Sequence, residues 1–200
     1  MSPFKMKLRP IELACLLATL HLLPCVAQQV PLPTQDTTQL ISQAEAQASA
    51  EHKNILVLFT ASWCGPCHML SGFFTEKKVA PIIDQNFVTV RLDVGERRND
   101  SKHVNTPGAE KYMAAVGGET AGYPYFAILD PAGKTIVSSL RNGDKESNIG
   151  YPQNAPQIDW FLHMIQTAIP NLDKKQFKTV KDGILDQSNR PFQGKSVEYR

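Results

Sequence analysis

Two cysteines, Cys64 and Cys67, follow directly on an unbroken apolar run, Asn54-Ile55-Leu56-Val57-Leu58-Phe59-Thr60, and this junction constrains the chain more than any other feature. A short run without polar alternation is the pattern of a strand buried on both faces. Beyond the cysteines, Met69, Leu70, Phe73 and Phe74 recur at helical spacing up to a break near Pro81. A central strand therefore hands over to a helix at the cysteine pair. A further helical turn leads to a second strand, Phe87 to Val94. A strand–helix–strand connection of this length implies a right-handed parallel unit.

The remainder supplies the other elements of an α/β domain. A helix is expected from Thr38 to His52, with Asp36 or Thr37 as its N-cap. Residues 95–108 are polar and charged, and a helix follows from Ala109 to Val116. Tyr125 to Leu129 reads as a strand, Asp130-Pro131-Ala132-Gly133 as a turn, and Thr135 to Leu140 as the hairpin partner. Helices from Ile158 to Ala168 and from Asp173 to Leu185 complete the reading, with no internal repeat.

The N-terminus has the pattern of a processing signal. Lys5, Lys7 and Arg9 precede an apolar run from Leu13 to Ala27 that contains His21 and Pro24. That run is shorter than the roughly 20 residues needed to span a bilayer, so cleavage after Ala27 is expected over an uncleaved anchor, and export to a periplasm or the exterior follows. Without residues 1–27 the chain carries 18 basic and 18 acidic side chains. A formally neutral protein gives no support to nucleic acid or an anionic membrane as partner. The same cut removes Cys15 and Cys25 and leaves Cys64 and Cys67 alone. An exported protein with a single cysteine pair two residues apart has no disulfide framework, so the pair is there for chemistry. The division expected is a signal peptide (1–27), a flexible lead-in (28–37), a domain (38–169) and a C-terminal accessory segment (170–200).

In Trp63-Cys64-Gly65-Pro66-Cys67 the first sulfur meets the unpaired N–H groups at a helix start. Those donors favour negative charge and lower the Cys64 thiol pKa, which makes Cys64 the attacking nucleophile and Cys67, one turn in, the resolving thiol. Pro66 occupies the first turn, where its missing N–H is not needed, and stiffens the dipeptide with Gly65. Trp63 covers one side of the pair. His68, early in the helix, is a surface residue or an aid to the thiolate.

A buried strand followed by Trp63-Cys64-Gly65-Pro66-Cys67, and later Tyr123-Pro124 before another strand, resembles the thioredoxin-like family over residues 38–169. The resemblance implies a thioredoxin fold, a mixed central sheet flanked by helices, here with an extra C-terminal helical segment. It implies that Pro124 is cis and packs on the cysteines, and that the backbone of Tyr123 pairs with an extended substrate segment. It also implies thiol-disulfide oxidoreductase activity on protein or peptide disulfides through the redox-active Cys64–Cys67 pair, with no metal or organic cofactor. Gly65-Pro66 matches the reducing members, so a reductase is expected, and outside the cytosol it needs an electron donor such as a membrane thiol-relay protein. The chain departs from the family at Leu58, where thioredoxins carry a buried Asp, which leaves proton transfer to water or another group. Arg91 falls near that Asp's lysine partner and reads as a solvated strand-end charge.

Other readings are weaker. A disulfide oxidase or isomerase differs from a reductase only in potential, and potentials across such dithiols span roughly 150 mV. His68 completes Cys64-x-x-Cys67-His68, the attachment signature of c-type haem, but that reading calls for a mostly helical fold. Zinc needs four ligands, and His103 and His163 lie far away in sequence. A binding module of the same shape without redox chemistry has no use for an intact dithiol. The charged stretch 95–108 leaves a strand at the edge that bears the cysteines, where open α/β sheets collect their ligands, and it is expected either to shape the partner surface or to be a solvated loop.

Overall fold

β1 (Asn54–Thr60) owes its lack of alternation to its place in the sheet. It lies between β2 (Phe87–Asp93), which runs parallel to it, and β3 (Tyr125–Leu129), which runs antiparallel. β4 (Thr135–Ser138) pairs with β3 and completes the order β2-β1-β3-β4. The computed structural model describes residues 35–100 and 102–189. The expected signal peptide, most of the lead-in and residues 190–200 lie outside the described residues.

Helices cover both faces of the sheet, so β1 is apolar on both. Ile55, Val57 and Phe59 pack with α1 (Thr37–Glu51) and α4 (Ala109–Ala115). Leu56 and Leu58 pack with α2 (Gly65–Phe74), α3 (Ala80–Asn86), α5 (Ala155–Ala168) and α6 (Lys174–Ser188). Phe73, Phe126 and Phe161 meet at the centre of this second layer, with the Phe73 and Phe161 rings edge to face at 5.5 Å. Each such side chain contributes roughly 1.5–3 kcal/mol by leaving water. The result is a mixed sheet flanked by helices, and α6 puts Val180 and Ile184, both fully buried, into the same layer.

Local signals set most of the helix starts. Asp36 accepts from the Gln39 N–H while the Gln39 side chain accepts from Asp36, a complete capping box at the start of α1. Asn154 caps α5, which places its start before the apolar spacing begins at Ile158. Pro81 differs from the sequence reading. The helical run ends at Phe74, and Pro81 lies in the first turn of α3, where a missing N–H is harmless.

Arg91 corrects the sequence reading too. It stands beside Leu58 in the β1–β2 register, and its guanidinium donates to Thr60 Oγ1 at 3.0 Å and to Asp93 Oδ1 at 2.9 and 3.0 Å. The Thr60 hydroxyl also reaches Asp93 Oδ1 at 3.0 Å. Arg91 is thus a half-buried tie between strands, held because Thr60 and Asp93 share a register position next to it.

Candidate active site

The carboxyl end of β1 turns sharply before α2. The Cys64 N–H donates to the Ala61 carbonyl at 3.0 Å, so Ala61-Ser62-Trp63-Cys64 is a closed turn with Ser62 and Trp63 at its centre. Cys64 is the N-cap of α2 and has extended backbone angles, while Gly65 and Pro66 form the first turn. The Cys67 N–H donates to Cys64 Sγ at 3.2 Å. A sulfur thus takes the place of the usual capping oxygen, at a first-turn N–H that also reaches the Cys64 carbonyl at 3.1 Å.

Cys64 and Cys67 form a disulfide with S–S 2.06 Å and Cα–Cα 5.2 Å. Both are almost wholly buried, at 3% and 2% exposure, in a cluster with Ala61 against which Tyr123 packs. Trp63 stands out at 47% exposure. Its ring meets Tyr123 edge to face with centroids 6.2 Å apart, and the Arg97 guanidinium lies 5.6 Å from its centroid. Tyr123 thus lies against the disulfide cluster, and Trp63, next to Cys64 in the chain, meets the Tyr123 ring. The Tyr123–Pro124 peptide is cis and Pro124 is buried.

Several residues that sequence reasoning missed hold these parts in place. Gly95 has φ +77° and lies against both rings: its carbonyl accepts from Trp63 Nε1 at 2.9 Å, and a Cβ there would come within 2.6 Å of the Tyr123 ring. Glu96 accepts from the Ser62 N–H and from the Ser62 hydroxyl, both at 2.6 Å. Asn148 donates to the carbonyls of Gly122 and Pro124. Gly95 and Glu96 had a signal in the sequence, their place in the stretch 95–108 after β2, and Asn148 had none. His68 Nε2 lies 2.7 Å from the Ser62 carbonyl and so carries the proton and donates to it. A cavity of about 380 Å³ opens beside Tyr123, with Val94, Glu110, Met113 and Glu119 in its wall. Burial, and after it the charge of Glu110, holds the Tyr123 hydroxyl pKa above the usual tyrosine range. Among the described residues no cluster of three or more His, Cys, Asp or Glu side chains is arranged to hold a metal ion.

The arrangement can present one sulfur to a partner disulfide while keeping the second within reach of the first. The four-stranded sheet does not fit the c-type haem reading, which calls for a mostly helical fold.

Residues 36–131, from α1 through β3, match the family described as thioredoxin-like. Thioredoxin H2-1 of Oryza sativa subsp. japonica is 32% identical over 100 residues, which are 48% of this chain and 70% of that protein. Protein disulfide-isomerase of Hordeum vulgare is 31% identical over 86 residues, 42% of this chain and 14% of that one. Among solved structures, a disulphide isomerase from Xylella fastidiosa Temecula1 superposes with a TM-score of 0.46 at 18% identity, covering 80% of this chain and 98% of its own. The rice protein is matched over more than two thirds of its length at that identity, and the family span takes in the cysteines: the chain belongs to the thioredoxin-like family.

Proposed function

We propose that this thioredoxin-like disulfide oxidoreductase works as a reductase of protein or peptide disulfides, with Cys64 as nucleophile and Cys67 as resolving thiol. The observation that carries the reading is the Cys67 N–H directed at Cys64 Sγ from the first turn of α2. The same donor is there to stabilise a Cys64 thiolate when the pair is reduced. In the cycle, the Cys64 thiolate attacks one sulfur of the substrate disulfide, which breaks, and the leaving sulfur takes up a proton. Cys67, deprotonated, then attacks Cys64 Sγ, releasing the substrate's second thiol and closing Cys64–Cys67. Two electrons pass from the dithiol to the substrate, and the closed pair is the oxidised end of the cycle.

Trp63 and Tyr123 serve as the substrate-facing flanks in this reading, with the Tyr123 backbone pairing to an extended segment. The Gly65-Pro66 dipeptide favours the reducing direction through its likeness to the reducing members of the family. Residues 1–27 act as a cleaved signal, and the exported protein is recharged by a membrane thiol-relay donor. No organic cofactor or metal takes part.

Reduced protein carrying Cys67→Ser is expected to trap a mixed disulfide with a cystine peptide, seen as an added mass, while Cys64→Ser traps none. Trapping by Cys64→Ser instead would reverse the roles. Equilibration of the parent against glutathione is expected to give a potential near the reducing end of the range, about −270 mV; a value near −120 mV would make it an oxidant.

A further inference from the structure

The loop leaving β2 grips both central residues of the turn that delivers Cys64. Gly95 holds the Trp63 indole, and the Glu96 carboxylate takes the Ser62 N–H on one oxygen and the Ser62 hydroxyl on the other. A two-residue turn leaves its central N–H without a partner inside the turn, so an outside acceptor decides how firmly the turn is held. A carboxylate is a strong choice, because hydrogen bonds to an ionised acceptor are roughly twice as strong as neutral ones.

Glu96 is itself fixed. Its N–H donates to Asn105 Oδ1 at 2.7 Å, and the base of the loop is closed by Thr106 N–H to the Asp93 carbonyl at 2.8 Å and Asp93 N–H to Thr106 Oγ1 at 3.0 Å. On its far side, Ser62 accepts from His68 Nε2 at 2.7 Å. A continuous chain, Asn105–Glu96–Ser62–His68, therefore links the loop, the turn and the second turn of α2. Cys64 and Cys67 lie within the segment it braces.

We propose that Glu96 is a positioning residue for the dithiol, locking the Ala61–Cys64 turn so that Cys64 Sγ is held where Cys67 can close on it. The proposal rests on thiol-disulfide exchange at Cys64. Ring closure is an intramolecular step whose equilibrium depends on the effective concentration of one sulfur at the other. A loosened turn lowers that concentration and makes the disulfide easier to reduce.

The test uses the full chain with Glu96→Ala, Glu96→Gln and Ser62→Ala, each equilibrated against glutathione, with thermal unfolding of the oxidised form alongside. Glutamine can keep the geometry, its amide oxygen accepting from the Ser62 N–H and its nitrogen donating to the Ser62 hydroxyl. Glu96→Ala is expected to lower the ring-closure constant about tenfold, a shift of about 30 mV toward the oxidising side. Ser62→Ala, which loses only the hydroxyl contact, should shift less in the same direction, and Glu96→Gln, which keeps both contacts as weaker neutral bonds, should shift less than alanine. A parent-like potential for Glu96→Ala, or, if that variant does not fold, for Ser62→Ala, overturns the proposal. So does Glu96→Gln shifting as far as alanine, which assigns the effect to charge. If the parent does not exchange with glutathione at all, the reading of the pair as an exchange centre fails first, and the role of Glu96 falls with it.

Discussion

The side-chain amide of Asn148 donates to the Pro124 carbonyl at 3.1 Å and to the Gly122 carbonyl at 2.7 Å, so that one residue holds both ends of the Tyr123 segment. Its backbone is placed by an isolated bridge to Leu140, just beyond β4. If the Tyr123 backbone receives substrate, Asn148 sets how well that backbone is aligned beforehand.

Asn148→Ala removes two hydrogen bonds, each with a net contribution of about 1 kcal/mol. Stability should fall by about 2 kcal/mol in urea unfolding, and KM for a cystine peptide should rise several-fold. Exchange with glutathione, too small to pair along an extended segment, should stay close to the parent rate. A loss of stability with KM unmoved would confine Asn148 to holding the fold.

Tyr125 should make the protein sensitive to alkali. Its hydroxyl donates to the Val116 carbonyl at 2.6 Å, and burial pushes its pKa above the usual tyrosine value. The folded state therefore holds this proton more tightly than the unfolded chain does. The stabilisation is fully present below about pH 10, the ordinary tyrosine value, and is lost as pH rises through the folded pKa. Tyr112 and Tyr123, raised chiefly by burial, act in the same direction. Tyr125→Phe should be less stable than the parent at pH 7, and the gap should narrow above pH 10. Urea midpoints across pH 7–11 measure it, and a constant gap would show that the hydroxyl does not titrate with unfolding.

How much of this was legible in the sequence follows from the range of each interaction. β1 and α2 could be read because an unbroken apolar run and a helical spacing are local patterns, and Cys64 and Cys67 are brought together by one helical turn. Tyr123 and Pro124 were reached through the family resemblance, since nothing near them in sequence says that Tyr123 packs against the cysteines. Glu96 holds Ser62 from 34 residues away, and Asn148 holds Gly122 from 26. Such contacts depend on strand order and loop path, which periodicity does not encode. Arg91 was misread for the same reason. Its partners, Thr60 and Asp93, become neighbours only when β1 and β2 pair in their particular register.

α6 lies beyond the 36–131 span that matches the family, yet its inner face belongs to the main core. Val180 and Ile184 are fully buried, and Gly183 between them lets the helix come close: a Cβ there would sit 3.0 Å from Val79 Cγ2 and 3.3 Å from Phe73 Cε2. Phe73 belongs to α2, the helix that begins at the cysteines, so α6 supports the platform under the site. Ile184→Ala should cost about 2–5 kcal/mol, the range for emptying a buried aliphatic site. Leu185→Ala, one position round on the exposed face, should stay within about 0.5 kcal/mol. The urea midpoint should move in Ile184→Ala with the slope unchanged, and the glutathione potential of the folded variant should match the parent. A cost for Ile184→Ala no larger than that for Leu185→Ala would mean that α6 is an appendage, and that the core closes without it.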